Sequence, residues 1–137
     1  MGRTNVNPIL GKIWKLSCPA KVKIFIWRTL HGTLPCRVTL ANRHMKVSPL
    51  CPSCSNGQED TKHIFFLCQK AKEVWGKLGM YEVIKKACVI DRAGEAVLEF
   101  LLLMPHQELS ILGCQNAGEL IAITAWYLWW VRRMLVH

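Results

Sequence analysis

An all-α fold, a small helical domain with an additional helical segment at its C-terminus, is what this 137-residue chain predicts. Three observations carry that expectation. Apolar residues recur at three- and four-residue spacing through most of the chain, the period of a helix with one buried face. Turn-forming residues, Gly32 to Pro35 and Gly57 in a polar segment, separate several of those stretches. Four side chains of metal-ligand type crowd into residues 51–68, which points to a staple in place of part of a core. Half of the residues are hydrophobic, six of them tryptophan, so a chain of this length can still bury one core.

In residues 7–16, Ile9, Leu10, Ile13 and Trp14 sit at helical spacing behind Pro8, which suits a first helical turn because its missing N–H has no partner to lose there. Ser17, Cys18 and Pro19 end this helix and open a second over residues 20–31, with Ser17 as the expected cap. Val22, Phe25, Ile26 and Leu30 form its stripe, while Lys21, Lys23 and Arg28 lie off it. The alternation Lys21-Val22-Lys23-Ile24 also fits a strand, and periodicity leaves both readings open. Residues 32–35 read as a turn. Residues 36–44 read as a third helix that buries Val38, Leu40 and Ala41 and leaves Arg37, Arg43 and His44 outside. A connector over residues 45–50 leads to the first cysteine pair, and residues 55–60, polar and holding Gly57, form a loop.

Residues 61–78 are helical by the pattern of His63, Phe66, Leu67, Ala71, Val74, Trp75 and Leu78, in two pieces around Cys68. Residues 81–90 are ambiguous. Residues 92–104 predict a helix stopped by Pro105, residues 113–117 a loop, and residues 119–137 an apolar helix with Trp126, Trp129 and Trp130, closed by Arg132 and Arg133. The uninterrupted apolar run of that helix, residues 120–131, is shorter than the roughly 20 residues needed to span a bilayer.

Cys51, Cys54, His63 and Cys68 are spaced Cys-x2-Cys-x8-His-x4-Cys. Two cysteines across a two-residue gap turn both sulfurs toward one point, and the four-residue gap places His63 and Cys68 on one helical turn or its end. Three thiolates and one imidazole fill the tetrahedral shell of one Zn2+ and leave no position for water, so the expected metal is structural. The competing reading makes them ordinary buried thiols and a core histidine. Cys18, Cys36, Cys88 and Cys114 lie outside the pattern and lack a neighbouring base, so none is a catalytic candidate. With seven cysteines and no secretory signal pattern, a reducing, intracellular compartment is expected, nucleus or cytoplasm, with the mitochondrion as alternative because the opening is basic and acid-free.

Charge divides the chain. The net charge is +9, and no Asp or Glu precedes Glu59, whereas later acids and bases balance. A surface made only for solubility mixes signs. Lys12, Lys15, Lys21, Lys23, Arg28, Arg37, Arg43 and Lys46 are therefore candidates for tracking the phosphates of RNA or DNA, with strong salt dependence and little sequence preference. Trp14, Phe25, Trp27, Phe65, Phe66 and Trp75 are expected in the core. Trp126, Trp129 and Trp130 are candidates for an exposed partner-binding face.

Several strings of residues carry a resemblance: Ile13-Trp14-Lys15, Pro19-x-Lys21-Val22-Lys23-x-Phe25-x-Trp27-Arg28, Gly32-x-Leu34-Pro35, Leu40-x-x-Arg43, Cys51-Pro52-x-Cys54, Glu59, Thr61-x-His63-Ile64-Phe65-Phe66-x-Cys68 and Val74-Trp75. They resemble the zinc-binding domain that follows the reverse transcriptase in plant non-LTR retrotransposons. The tail Trp126-Tyr127-x-Trp129-Trp130-x-Arg132-Arg133 is similar to the segment leading toward RNase H in those polyproteins. The resemblance implies a zinc-binding domain over residues 8–78, a helical extension over 79–137, and a role in handling nucleic acid. Neither a polymerase nor an RNase H carboxylate set fits in this length, so a non-enzymatic, retrotransposon-derived fragment is expected. The rival expectation is a small interaction protein whose tryptophan-rich C-terminal helix binds another protein or an organelle membrane surface.

Overall fold

The structure, a computed structural model, describes residues 8–89, 93–104 and 117–136. Seven α-helices and one π-helical turn account for most of them: α1 (Pro8–Lys15), α2 (Ala20–Leu30), α3 (Arg37–Asn42), the π turn (His63–Leu67), α4 (Gln69–Lys77), α5 (Tyr81–Val89), α6 (Gly94–Leu103) and α7 (Ala117–Val136). Among the described residues there is no strand, and only Leu50 and Gln58 form an isolated antiparallel bridge. The fold is mainly α, as the helical stripes predict.

Burial decides the segment that could be strand or helix. Val22, Phe25, Ile26 and Thr29 are all buried on one face of α2, and only helical spacing of three and four brings them there together. Ser17 does not cap this helix. Pro19 takes the cap position with no side-chain bond, and the Ser17 N–H instead donates to Glu119 Oε2 at 2.9 Å, which ties the α1–α2 corner to the start of α7. Of the ambiguous residues 81–90, Tyr81–Val89 form α5 because Val83, Ile84 and Ala87 reach the core, and Ile90 lies outside the described residues. The third helix is shorter than expected, with Cys36 at its N-cap and no residue of it buried. Arg92 of the expected 92–104 helix, its proline stop, and residues 113–116 of the expected loop lie outside the described residues, while Ala93 caps α6 and Ala117 already belongs to α7.

The core lies where α2, α6 and α7 meet. α6 and α7 pack on each other and both pack on α2, α1 closes against α2 and α6, and the π turn rests on α4, α6 and α7. Ile9 and Ile13 of α1, Ile26 of α2, Leu98 and Leu101 of α6, and Ile121 and Ala125 of α7 are all inaccessible to solvent or nearly so. Each of these isoleucine and leucine side chains contributes about 1.5–3 kcal/mol by leaving water. α6 approaches the 61–62 backbone so closely that a Cβ on Gly94 would stand 2.3 Å from the Lys62 nitrogen. Glycine is the residue that permits this contact, and through it α6 supports the helix that presents His63.

Candidate metal centre

Cys51 and Cys54 sit on a short turn held by its own backbone. The Cys51 N–H donates to the Gly57 carbonyl at 2.8 Å, the Ser55 N–H to the Cys51 carbonyl at 2.9 Å, and the Asn56 N–H points at Cys54 Sγ at 3.4 Å. Ser55 takes a left-handed conformation, φ 55°, to close the turn. His63 comes from the first turn of the next helix, where Asp60 acts as cap: its Oδ1 accepts the His63 N–H at 2.8 Å and its carbonyl the Ile64 N–H at 3.0 Å.

The four-residue gap to Cys68 needs a special turn. At about 100° per residue, positions five apart stand about 140° apart on an α-helix, on different faces. The π turn closes that angle, with the Cys68 N–H donating to the His63 carbonyl at 2.8 Å. Trp75, buried, donates its indole N–H to the Phe65 carbonyl at 2.7 Å, giving a partner to a carbonyl at the point where the regular helix is interrupted.

The four expected ligand atoms meet. They all lie within 4.8 Å of one another, with Cys51 Sγ to Cys68 Sγ 3.9 Å and Cys54 Sγ to His63 Nε2 3.3 Å. Zinc bonds of about 2.3 Å to sulfur and 2.0–2.1 Å to nitrogen set tetrahedral edges of about 3.8 Å between sulfurs and 3.6 Å between sulfur and nitrogen, so the donors fit one zinc ion. Burial pushes the Cys51 thiol up to about 11, against the favourable Cys54 and Ser53 N–H groups. At Cys54 burial also opposes ionisation, but the Asn56 N–H and the neighbouring thiols outweigh it and bring the thiol below its ordinary value. Burial lowers His63, opposed by Asp60 and Glu59, and so favours the neutral imidazole that a metal requires.

Beside this cluster lies a contact that sequence reasoning left without a role. Glu59 is fully buried, and its carboxylate is gripped by Arg132 of α7, Nε to Oε2 at 2.8 Å and Nη2 to Oε1 at 2.6 Å. The Arg37 N–H completes the shell at 2.8 Å, so α3, the ligand loop and α7 share one buried charge pair. The signal was present in the sequence: Glu59 is the first acid of the chain and belongs to the motif strings, and Arg132 closes the tail motif.

The candidate cations are dispersed. Lys15, Lys21, Arg28, Arg43 and Lys46 are exposed, and Lys12, Lys23 and Arg37 half-buried. Lys23 Nζ donates to the Trp14 carbonyl at 3.1 Å. The tryptophans of α7 do not share one face: Trp129 is 9% exposed, Trp126 half-buried and Trp130 45% exposed, the last stacked beside Tyr127. Of the aromatics expected inside, Phe25, Phe65, Phe66 and Trp75 are buried, whereas Trp14 and Trp27 are exposed. Between α2 and α7 the structure brings Lys21 and Arg28 together with Trp126, Trp129 and Arg133 around one cleft of about 550 Å³, with no acid among the described residues that line it.

Comparison with known proteins places the same residues in a family. A family model described as zinc-binding in reverse transcriptase matches residues 1–75, a span that contains all four ligands. A curated Arabidopsis thaliana protein named "Putative ribonuclease H protein" is 26% identical over 73 residues, 53% of this chain and 12% of that protein. The chain therefore covers about an eighth of that relative's length. No solved structure matches. The chain carries a cluster suited to one zinc ion, and no helix among the described residues is long and apolar enough to cross a membrane.

Proposed function

The chain belongs to the family of zinc-binding domains of reverse transcriptases, and from that premise we propose that it is a non-enzymatic, zinc-stapled module that binds RNA or DNA through its basic N-terminal half. Residues 8–78 act as the zinc-binding unit and 79–137 as a helical extension that covers it. Four protein ligands leave the zinc no open coordination position, so its contribution is to hold the ligand loop.

One observation supports nucleic-acid binding above all: no acid occurs before Glu59, and among the described residues none of the eight candidate cations has an ion-pair partner. Cations without an ion-pair partner gain most from displacing the counterions of a polyphosphate. Fluorescence anisotropy with labelled RNA and DNA oligonucleotides tests this. With about four phosphate contacts, affinity should fall about 50-fold for a single strand and about 150-fold for duplex DNA between 50 and 200 mM salt. Absent or salt-independent binding would refute the proposal.

The rival reading, protein or membrane-surface binding by the C-terminal helix, draws on Ile123, Tyr127, Trp130 and Met134, exposed at four-three-four spacing along α7. Partners that survive nuclease treatment and vanish in Trp130→Ala would favour it.

A further inference from the structure

We infer that the cleft between α2 and α7 is a binding site for unpaired nucleotides, in which a base stacks on Trp126 while Lys21, Arg28 and Arg133 hold the flanking phosphates. The inference rests on the nucleic-acid reading above and goes beyond it, because it selects single strands and requires a residue outside the family-matched span.

The two tryptophans of the cleft differ in freedom. Arg132 lies over the Trp129 ring at 4.9 Å, but its guanidinium is committed to the buried Glu59, so that ring is covered by a cation that cannot leave. Lys21 lies over the Trp126 ring at 4.9 Å and has no acidic partner among the described residues. A base that takes the place of the ammonium over Trp126 therefore releases Lys21 toward the adjacent phosphate, and both groups stay paired. Arg28 and Arg133 are exposed and line the same cleft, as does the buried ring of Phe25.

Charge and shape choose the occupant. Three cations and no acid among the described lining residues favour a polyanion, and a volume of about 550 Å³ admits a ligand of nucleotide size. Base faces are available for stacking only in unpaired strands, since a duplex hides them and offers its phosphates to the rim alone. An acidic peptide would satisfy the cations but leave the indole without a planar partner.

Anisotropy with a single-stranded oligonucleotide and its duplex, on the full chain loaded with zinc, decides the matter. The single strand should bind about tenfold tighter and quench tryptophan fluorescence. Trp126→Ala should remove that preference and leave duplex binding unchanged, with Trp126→Phe keeping part of it and Trp130→Ala all of it. Should Trp126→Ala fail to hold zinc, Trp126→Phe together with Arg28→Gln carries the test, each expected to weaken the single strand several-fold. Equal binding of both forms, insensitive to Trp126 or Trp126 and Arg28, overturns the cleft assignment while salt-dependent binding keeps the proposed function. Displacement of the single strand by oligoglutamate as readily as by unlabelled oligonucleotide also overturns it, in favour of a peptide site. No binding to either nucleic acid overturns both.

Discussion

The segment from α3 through Asp60 and the α6–α7 pair are ordered by different forces. α3 buries no side chain, and Met45 and Leu50 are about half exposed, so hydrophobic burial holds little of that region. Its order comes from backbone bonds such as Val38 N–H to the Glu59 carbonyl and Glu59 N–H to the Pro49 carbonyl, 2.9 and 2.7 Å, and from the ligand cluster. In α6 and α7, by contrast, Val97, Leu98, Leu101, Ile121 and Ala125 are wholly buried and no metal is needed. A short chain that cannot wrap all of itself around one core can order the remainder with a metal clip. Glu59 and Arg132 join the two regimes, since one stands in the ligand loop and the other on α7.

Removing the clip should have the largest effect. Structural zinc contributes an apparent free energy on the order of 10 kcal/mol in small zinc modules. Chelation, or Cys54→Ser, should remove one equivalent of zinc by elemental analysis and expose the amides of residues 37–60 to hydrogen exchange before those of α6 and α7. Simultaneous exposure of both regions would erase the distinction between them, and a metal-free protein with full protection throughout would refute the structural zinc.

Cutting the join comes next. Arg132→Ala leaves a buried carboxylate without its cation and should destabilise the chain by about 3–5 kcal/mol in urea unfolding. The double change Arg132→Met with Glu59→Leu removes both charges and should cost much less. If Arg132→Ala costs under about 1 kcal/mol, the pair is solvated and the two regions are not coupled through it.

The smallest effect lies inside the ligand loop. Asp60→Ala removes the cap on the helix that carries His63 and should cost about 0.5–2 kcal/mol, read as a lower midpoint of thermal unfolding with zinc bound. A neutral outcome would mean that the ligands alone fix the start of that helix.

The ligand set was legible because it is local: four residues within 51–68 declare their chemistry by type and spacing, and the break in the helix around Cys68 shows in the same pattern. The π turn was less legible, because nothing in residue type distinguishes five-residue from four-residue closure until both ligands must meet. Ser17 illustrates a local rule overruled, since a distant carboxylate on α7 takes its N–H away from any capping role. The basic half and the tryptophan helix read as two rival surfaces in the sequence, yet Lys21 sits against Trp126 in one cleft.

Helical periodicity and ligand spacing, both properties of neighbours along the chain, thus determined the all-α class and the four residues of the cluster suited to zinc from the sequence by itself. Only the tertiary structure decided which tryptophan faces water, which cations share a cleft, and that Glu59 and Arg132 pair across 73 positions. Such contacts depend on how helices cross after collapse, and no period of three or four residues encodes that.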